Sequence, residues 1–450
     1  MMKKWIVCLI AALVLCSGLA QADALEDGVA AYNKGNYSQA IKLFRPIAEK
    51  GGAEAQYNLG QMYREGQGVA QNYQEAVKWY RLAATQGLAK AQYNLGLRYA
   101  KGQGVPQDYK QAVDWYRKAA TQGLAYAQFN LGTMYREGKG ITQDHQEATK
   151  WYRLAATQGY ANAQSNLGYM YDRGQGVTQN YQEAAKWYRL AATQGLAEAQ
   201  YNFGVMYDRG QGVTQNYQEA VKWFRLAATQ GYTAAQHNLG VMYDTGKGVP
   251  QDYLEAMKWY RLAAAQGYAS TQYNLGVMYA KGEGVPQDDH EAVKWYRLAA
   301  AQGLAEAQFN LGLMYTNGEG VPQDDQEAAK WFRLAATQGY AAAQFSLGYM
   351  YDTGKGVPQD YQQAMKWYRL AAAQGYAIAQ HNLGYMYTNG IGVMQNYKKA
   401  YMWLNLGAAN GVDSTVKLRD ILAAKMTKNQ ILAAQKLARE CEKRNYKNCD

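Results

Sequence analysis

Downstream of residue 50, small and apolar residues fall on two helical stripes that alternate along the chain. Ala55, Leu59 and Met62 lie at i, i+4 and i+7, with Gln56, Gly60 and Tyr63 beside them. That is the spacing of one buried helix face. Ala76, Tyr80, Ala83 and Ala84 form a second stripe with Trp79 next to it. Between the two, Gly66 and Gly68 predict a loop that enters left-handed backbone space. Gly87 is placed to end the second helix as its C′ glycine. Strand patterns are absent, so the pattern predicts an all-α chain of helix–turn–helix units.

The unit repeats. Apart from Trp5, every tryptophan recurs at 36-residue intervals from Trp79 to Trp403, and a glycine opens each unit from Gly51 to Gly375. Ten repeats therefore span residues 51–410, and a period in this range indicates a solenoid. Equivalent positions are called slots here, numbered by the first repeat, so that slot 57 comprises Tyr57, Tyr93 and so on. Glycine inside a helix costs about 1 kcal/mol relative to alanine, yet slot 60 is glycine in all ten repeats. The second helix is therefore expected to pack there too closely for a side chain. No single helix pair can bury both its faces, so the ends should be atypical. Residues 23–50 read as one further helix pair, with Leu43 in the tryptophan slot. Residues 411–450 read as two capping helices, the second opened by a Thr427–Gln430 capping box.

The pattern A-x-A-Q-Y-N-L-G-x-M-Y…G-x-G-V…Y-x-x-A-x-K-W-Y-R-x-A-A resembles the Sel-one-like repeat, a 36-residue relative of the tetratricopeptide repeat. The pair at 23–50 resembles a tetratricopeptide unit through Ala31, Tyr32, Gly35, Tyr37 and Ala40. The resemblance implies a right-handed superhelical solenoid with a concave face, used as an adaptor or scaffold. In exported bacterial members it implies envelope or host-contact roles.

Composition adds an address. Lys3 and Lys4 precede an apolar stretch from Trp5 to Leu15, and Ala20-Gln21-Ala22 is a small-x-small cleavage site. Residues 1–22 thus read as a signal peptide, too short to span a membrane core that needs about twenty residues. A lipid on Cys16 is disfavoured by the bulky Leu15 before it. The mature chain is expected to be soluble in the periplasm or secreted, without a transmembrane segment and as a monomer. Cys8 and Cys16 leave with the leader, and in an oxidising compartment Cys441 and Cys449 most simply form one disulfide. The formal net charge of +11 is spread over fixed slots without a Lys/Arg block. It reads mainly as a solvated face, and no nucleic-acid partner is expected.

Catalysis needs singular residues, and here nearly every polar residue is one of ten copies. His237 and His381 share slot 57 but stand four repeats apart, roughly 35 Å at 8–10 Å per helix layer. That excludes a shared metal or dyad. His145 and His290 replace residues common in other copies. No metalloprotease, nucleophile-elbow, Walker or C-x-x-C motif is present, so neither an enzyme nor a cofactor is expected.

Variation between copies points to a binding face. Winding the first helix at 100° per residue puts slots 54, 57, 61, 64 and 65 on the side that drifts. Slot 57 contributes Tyr57, Tyr93, Phe129, Tyr201, His237, Tyr273, Phe309, Phe345 and His381, and slot 61 adds Tyr169, Tyr349 and Tyr385. By analogy with tetratricopeptide arrays this is an aromatic concave trough for a protein or peptide. An envelope glycan, held by tyrosine platforms and basic charge, is the alternative. An asparagine ladder at slot 58 (Asn58, Asn94, Asn130 and on to Asn382) is broken only by Ser346. It could bond an extended peptide or tie each repeat to the next.

Overall fold

The computed structural model describes residues 23–447 and 449; the expected leader, residues 1–22, lies outside them. The described residues form 24 helices and no strand. The chain divides into two compact halves, Met1–Gln230 and Gly231–Asp450. The first holds a helix over 23–33, then Tyr37–Glu49, then five helix pairs from Ala53–Glu65 with Tyr73–Thr85 to Ala197–Arg209 with Tyr217–Thr229. The second holds five pairs from Thr233–Thr245 with Tyr253–Ala265 to Ala377–Asn389 with Tyr397–Ala409, then Asp413–Ala423 and Lys428–Lys443. Within each half, successive repeats pack helix on helix, making an all-α solenoid.

Local chemistry sets the helix ends. Each second helix opens on Asn or Asp; Asn72 Oδ1 accepts from the amides of Gln74 and Glu75 at 2.9 and 3.0 Å, satisfying donors the helix leaves unpaired. First helices carry no side-chain cap and stop at a left-handed glycine, as at Gly66, where φ is +73°. The second loop glycine has a different role. A Cβ on Gly104 would lie 2.2 Å from the carbonyl oxygen of Tyr73 in the preceding repeat, so each loop rests on its neighbour's backbone.

Slot 60 shows the expected close approach. A Cβ on Gly60 would lie 2.6 Å from the Tyr80 ring, and one on Gly96 2.9 Å from Tyr116. Those tyrosines are among the largest fully buried side chains, so the glycine's propensity cost is offset by a ring packed closely against the first helix.

At the C-terminus Thr427 and Gln430 form a capping box. The helix it opens lies, like Asp413–Ala423, against Tyr397–Ala409, and Leu406, Leu422, Ala434 and Ala438 are buried in one cluster there. Among the described residues, no helix is long and apolar enough to cross a membrane.

Candidate functional site

The drifting aromatics are half-buried, because the second helix supplies a ring beneath each. Within their own repeats, Tyr57, Tyr93 and Phe129 stand 5.8–6.0 Å, centroid to centroid, from Tyr80, Tyr116 and Tyr152. The same pairing recurs for Tyr201, His237, Tyr273, Phe309 and Phe345 at 5.7–6.0 Å. Such pairs contribute about 0.5–1.5 kcal/mol beyond area burial and fix each ring's pose. The next repeat often closes a second side: Phe129 meets Tyr160 at 5.3 Å, and Phe345 meets Tyr376 at 5.4 Å. Two members of slot 57 differ. Ser165 is buried, and His381 stands in a repeat whose own slot 80 is Leu404.

The more exposed rings on this face are Tyr169, Tyr349 and Tyr385 in slot 61. Sequence reading missed two others. Tyr126, 52% exposed, and Tyr160 join Tyr93 and Phe129 in one run of rings, with contacts of 6.2 Å (Tyr93–Tyr126), 5.2 Å (Tyr126–Tyr160) and 5.3 Å (Tyr160–Phe129). Tyr126 does sit in slot 54 of the drifting side, but Tyr160 lies in slot 52, ahead of the helix, where a helical wheel assigns no face.

Asparagines of slot 58 stand between repeats. Asn130 stands near the hydroxyls of both Tyr93 and Tyr116 in the preceding repeat, and Asn310 is placed the same way beside Tyr273 and Tyr296. Asn94 reaches Tyr57 and also donates to the Lys90 carbonyl at 3.1 Å. Asn58 and Glu54, in the first repeat, line a groove with Leu25 and Val29 of the N-terminal segment. Burial pushes the phenol of Tyr296 up to about 12, and those of Tyr57, Tyr93 and Tyr273 also upward. At neutral pH these hydroxyls keep their protons and remain donors.

Slot 57 histidines are paired rather than free. His237 Nδ1 lies 2.7 Å from Thr271 Oγ1, and His381 Nδ1 lies 2.8 Å from Thr415 Oγ1. Burial lowers the His237 pKa to about 4 and shifts His381 the same way, so both rings are neutral at pH 7. His290 Nδ1 bonds the Gly320 carbonyl at 2.8 Å. Among the described residues no three His, Cys, Asp or Glu side chains are grouped to hold a metal.

A glutamine ladder, unforeseen in the sequence, joins the repeats. Buried Gln92 donates to the Ala84 carbonyl of the preceding repeat at 3.1 Å, and Gln122 donates to Gln92 Oε1 at 2.8 Å. The arrangement recurs at Gln128 with Gln158 and at Gln308 with Gln338. The available signal was glutamine in every slot 56 and in every slot 86 but the last, where Asn410 makes the same bond to Gln380 at 3.0 Å.

On the second helices, many lysines are neutralised locally. Lys150 with Glu147 and Lys258 with Glu255 pair at 3.1 Å, three residues apart on exposed faces. The same helices expose a leucine in slot 82, as at Leu226, Leu298 and Leu334. In the tail, Cys441 and Cys449 are disulfide-bonded, with Cα atoms 5.2 Å apart.

Comparison with known proteins accords with this architecture. The Sel1 repeat family model matches eleven successive segments, beginning with 16–52 and 53–88 and ending with 377–412. The first segment takes in the helix pair preceding Gly51. A protective antigen present in uropathogenic Escherichia coli strains, described as displaying an SLR fold, is 37% identical; the match covers 90% of this chain and 96% of that one, with a TM-score of 0.61. A Sel1 repeat protein from Oxalobacter formigenes is also 37% identical over 69% of this chain and 89% of that one, with a TM-score of 0.56. A search of curated proteins gave no match. With its matched segments running almost without a break from residue 16 to residue 412, the chain belongs to the Sel1 repeat family.

Proposed function

We propose that this chain is an exported scaffold whose first-helix face holds a protein or peptide. Sel1 repeats are scaffold units that mediate protein–protein contact, and solenoids present extended surfaces for the purpose. The observation that carries the assignment to this face is the run Tyr93–Tyr126–Tyr160–Phe129, four rings fixed by one another and open to solvent at Tyr126. Rigid aromatics pay little ordering entropy on binding and are favoured anchors. Export is supported by the N-terminal pattern of Lys3, Lys4 and the Ala20–Ala22 site, and by the Cys441–Cys449 bond. A relative of similar length that serves as a protective antigen also fits an exported chain.

Recognition of an envelope glycan is the second reading, resting on the exposed tyrosines and the net charge of +11. The lysine–glutamate pairing of the second helices weakens it. The test is affinity capture from envelope extract by residues 23–450, beside a Tyr126→Ala/Tyr169→Ala/Tyr349→Ala/Tyr385→Ala variant. These side chains are exposed, so the variant keeps its helices. The captured protein is then purified and titrated against both forms. Loss of at least tenfold in affinity supports the reading; equal affinity, or capture of wall fragments alone, overturns it.

A further inference from the structure

The junction between the eighth and ninth repeats departs from its neighbours in a correlated way. At several junctions a slot-80 tyrosine stands beside the slot-58 asparagine of the next repeat, as Tyr116 does with Asn130 and Tyr260 with Asn274, and where slot 80 is Phe224 the asparagine, Asn238, is kept. Here both members are replaced: Phe332 stands for the tyrosine and Ser346 for the asparagine. A third change accompanies them, since Asp325 occupies slot 73, which is tyrosine in most repeats. Phenylalanine brings no hydroxyl and serine no amide head, and the space they filled stays open. A cavity of about 120 Å³ lies there, lined by Leu313, Phe332, Phe345, Ser346, Tyr349 and Met350.

We propose that this cavity seats one aliphatic side chain, of leucine or isoleucine size, presented by the peptide partner; the inference rests on the scaffold reading above and names one of its anchors. Size argues for the aliphatic class, because a hydrocarbon cavity of about 150 Å³ is what admits a benzene ring. The floor is apolar, with Phe332 and Met350 buried, while Tyr349 is exposed at the mouth. Asp325 and Lys355 also border the opening, where they can take the peptide's amide donors and carbonyls. Filling such a cavity recovers contacts its lining lacks.

The full mature chain, with 13C-methyl methionine, is titrated with N-acetyl-leucine methylamide and, separately, N-acetyl-alanine methylamide. The Met350 methyl signal should shift saturably with the leucine probe and not with the alanine probe. Met278, in the same slot two repeats earlier where the Tyr260–Asn274 pair is kept, should not move. A Phe332→Tyr/Ser346→Asn variant places the pair carried by most other junctions here, and therefore folds. It should weaken the leucine probe by about tenfold or more, the worth of burying such a side chain. Equal response to both probes, an equal shift at Met278, or full retention in the filled variant overturns the cavity as a site. These readouts need no partner, so failure of the scaffold reading would appear separately, as absence of specific capture by the unaltered chain.

Discussion

His237 and Thr271 sit in consecutive repeats and face each other at 2.7 Å, and the same two slots pair again as His381 with Thr415. No other repeat carries histidine in slot 57, and no other carries threonine in slot 55 of its successor, where alanine is the rule. The pair is one unit of substitution, and it makes the second half acid-sensitive. The unfolded chain takes up the His237 proton near pH 6.5, while burial holds the folded pKa at about 4. Between those values the unfolded state binds more protons, so stability is full above about 6.5 and declines as pH falls toward 4. The contribution is at most about 3 kcal/mol. A His237→Phe/Thr271→Ala variant restores residues native to other repeats. In denaturant titrations of the helices Thr233–Thr245 and Ala269–Lys281, it should lose less stability than the parent between pH 7 and pH 4.5.

Gly96→Ala tests which effect wins inside the first helix. Propensity alone predicts a gain of about 1 kcal/mol. A Cβ 2.9 Å from the Tyr116 ring must displace a fully buried side chain, and overpacking of this kind costs about 1–3 kcal/mol. The variant should melt lower than the parent in a circular-dichroism scan.

The two glutamines of one rung should differ in weight. Gln92→Leu removes a buried side chain that makes two hydrogen bonds, to the Ala84 carbonyl and from the Gln122 amide, a loss of about 1–3 kcal/mol for the two. Gln122 is exposed, so water replaces its bond and Gln122→Ala should cost about 1 kcal/mol or less. Amide hydrogen exchange across the helix Ala89–Lys101 would rank them.

Leucines of slot 82 offer a contrast at constant chemistry. Leu298 is 49% exposed, whereas Leu406 is fully buried in the C-terminal core cluster. Leu406→Ala should destabilise by about 2–5 kcal/mol and Leu298→Ala by about 0.5 kcal/mol or less, measured by urea unfolding of the full chain.

Much of this architecture was legible in the spacing of Trp79 and its copies and in the glycines. Gly60 announced a close approach, and Tyr80 is what approaches. Gly66 announced a left-handed turn, and the first helix ends on it. The capping box at Thr427 required only two residue types at the right separation. Half-burial of Tyr57, Tyr93 and the other slot-57 rings was not legible. A helical wheel knows one helix, and their cover comes from slot 80 of the partner helix and slot 52 of the next repeat. The Tyr126–Tyr160 contact was hidden for the same reason. The histidine–threonine link, by contrast, was visible as a correlated exchange between neighbouring copies.

Each rung such as Gln122–Gln92–Ala84 is built from atoms that the copies supply in the same places, the last with Asn410 for the outer glutamine. Any repeat can therefore follow any other, and a gene that gains or loses a whole 36-residue segment by unequal recombination creates no unfamiliar seam. Array length becomes a nearly free evolutionary variable, adjustable without inventing new contacts. The seam between Phe332 and Ser346 is the exception, since a deletion through it discards a pairing of residues that no sister junction carries.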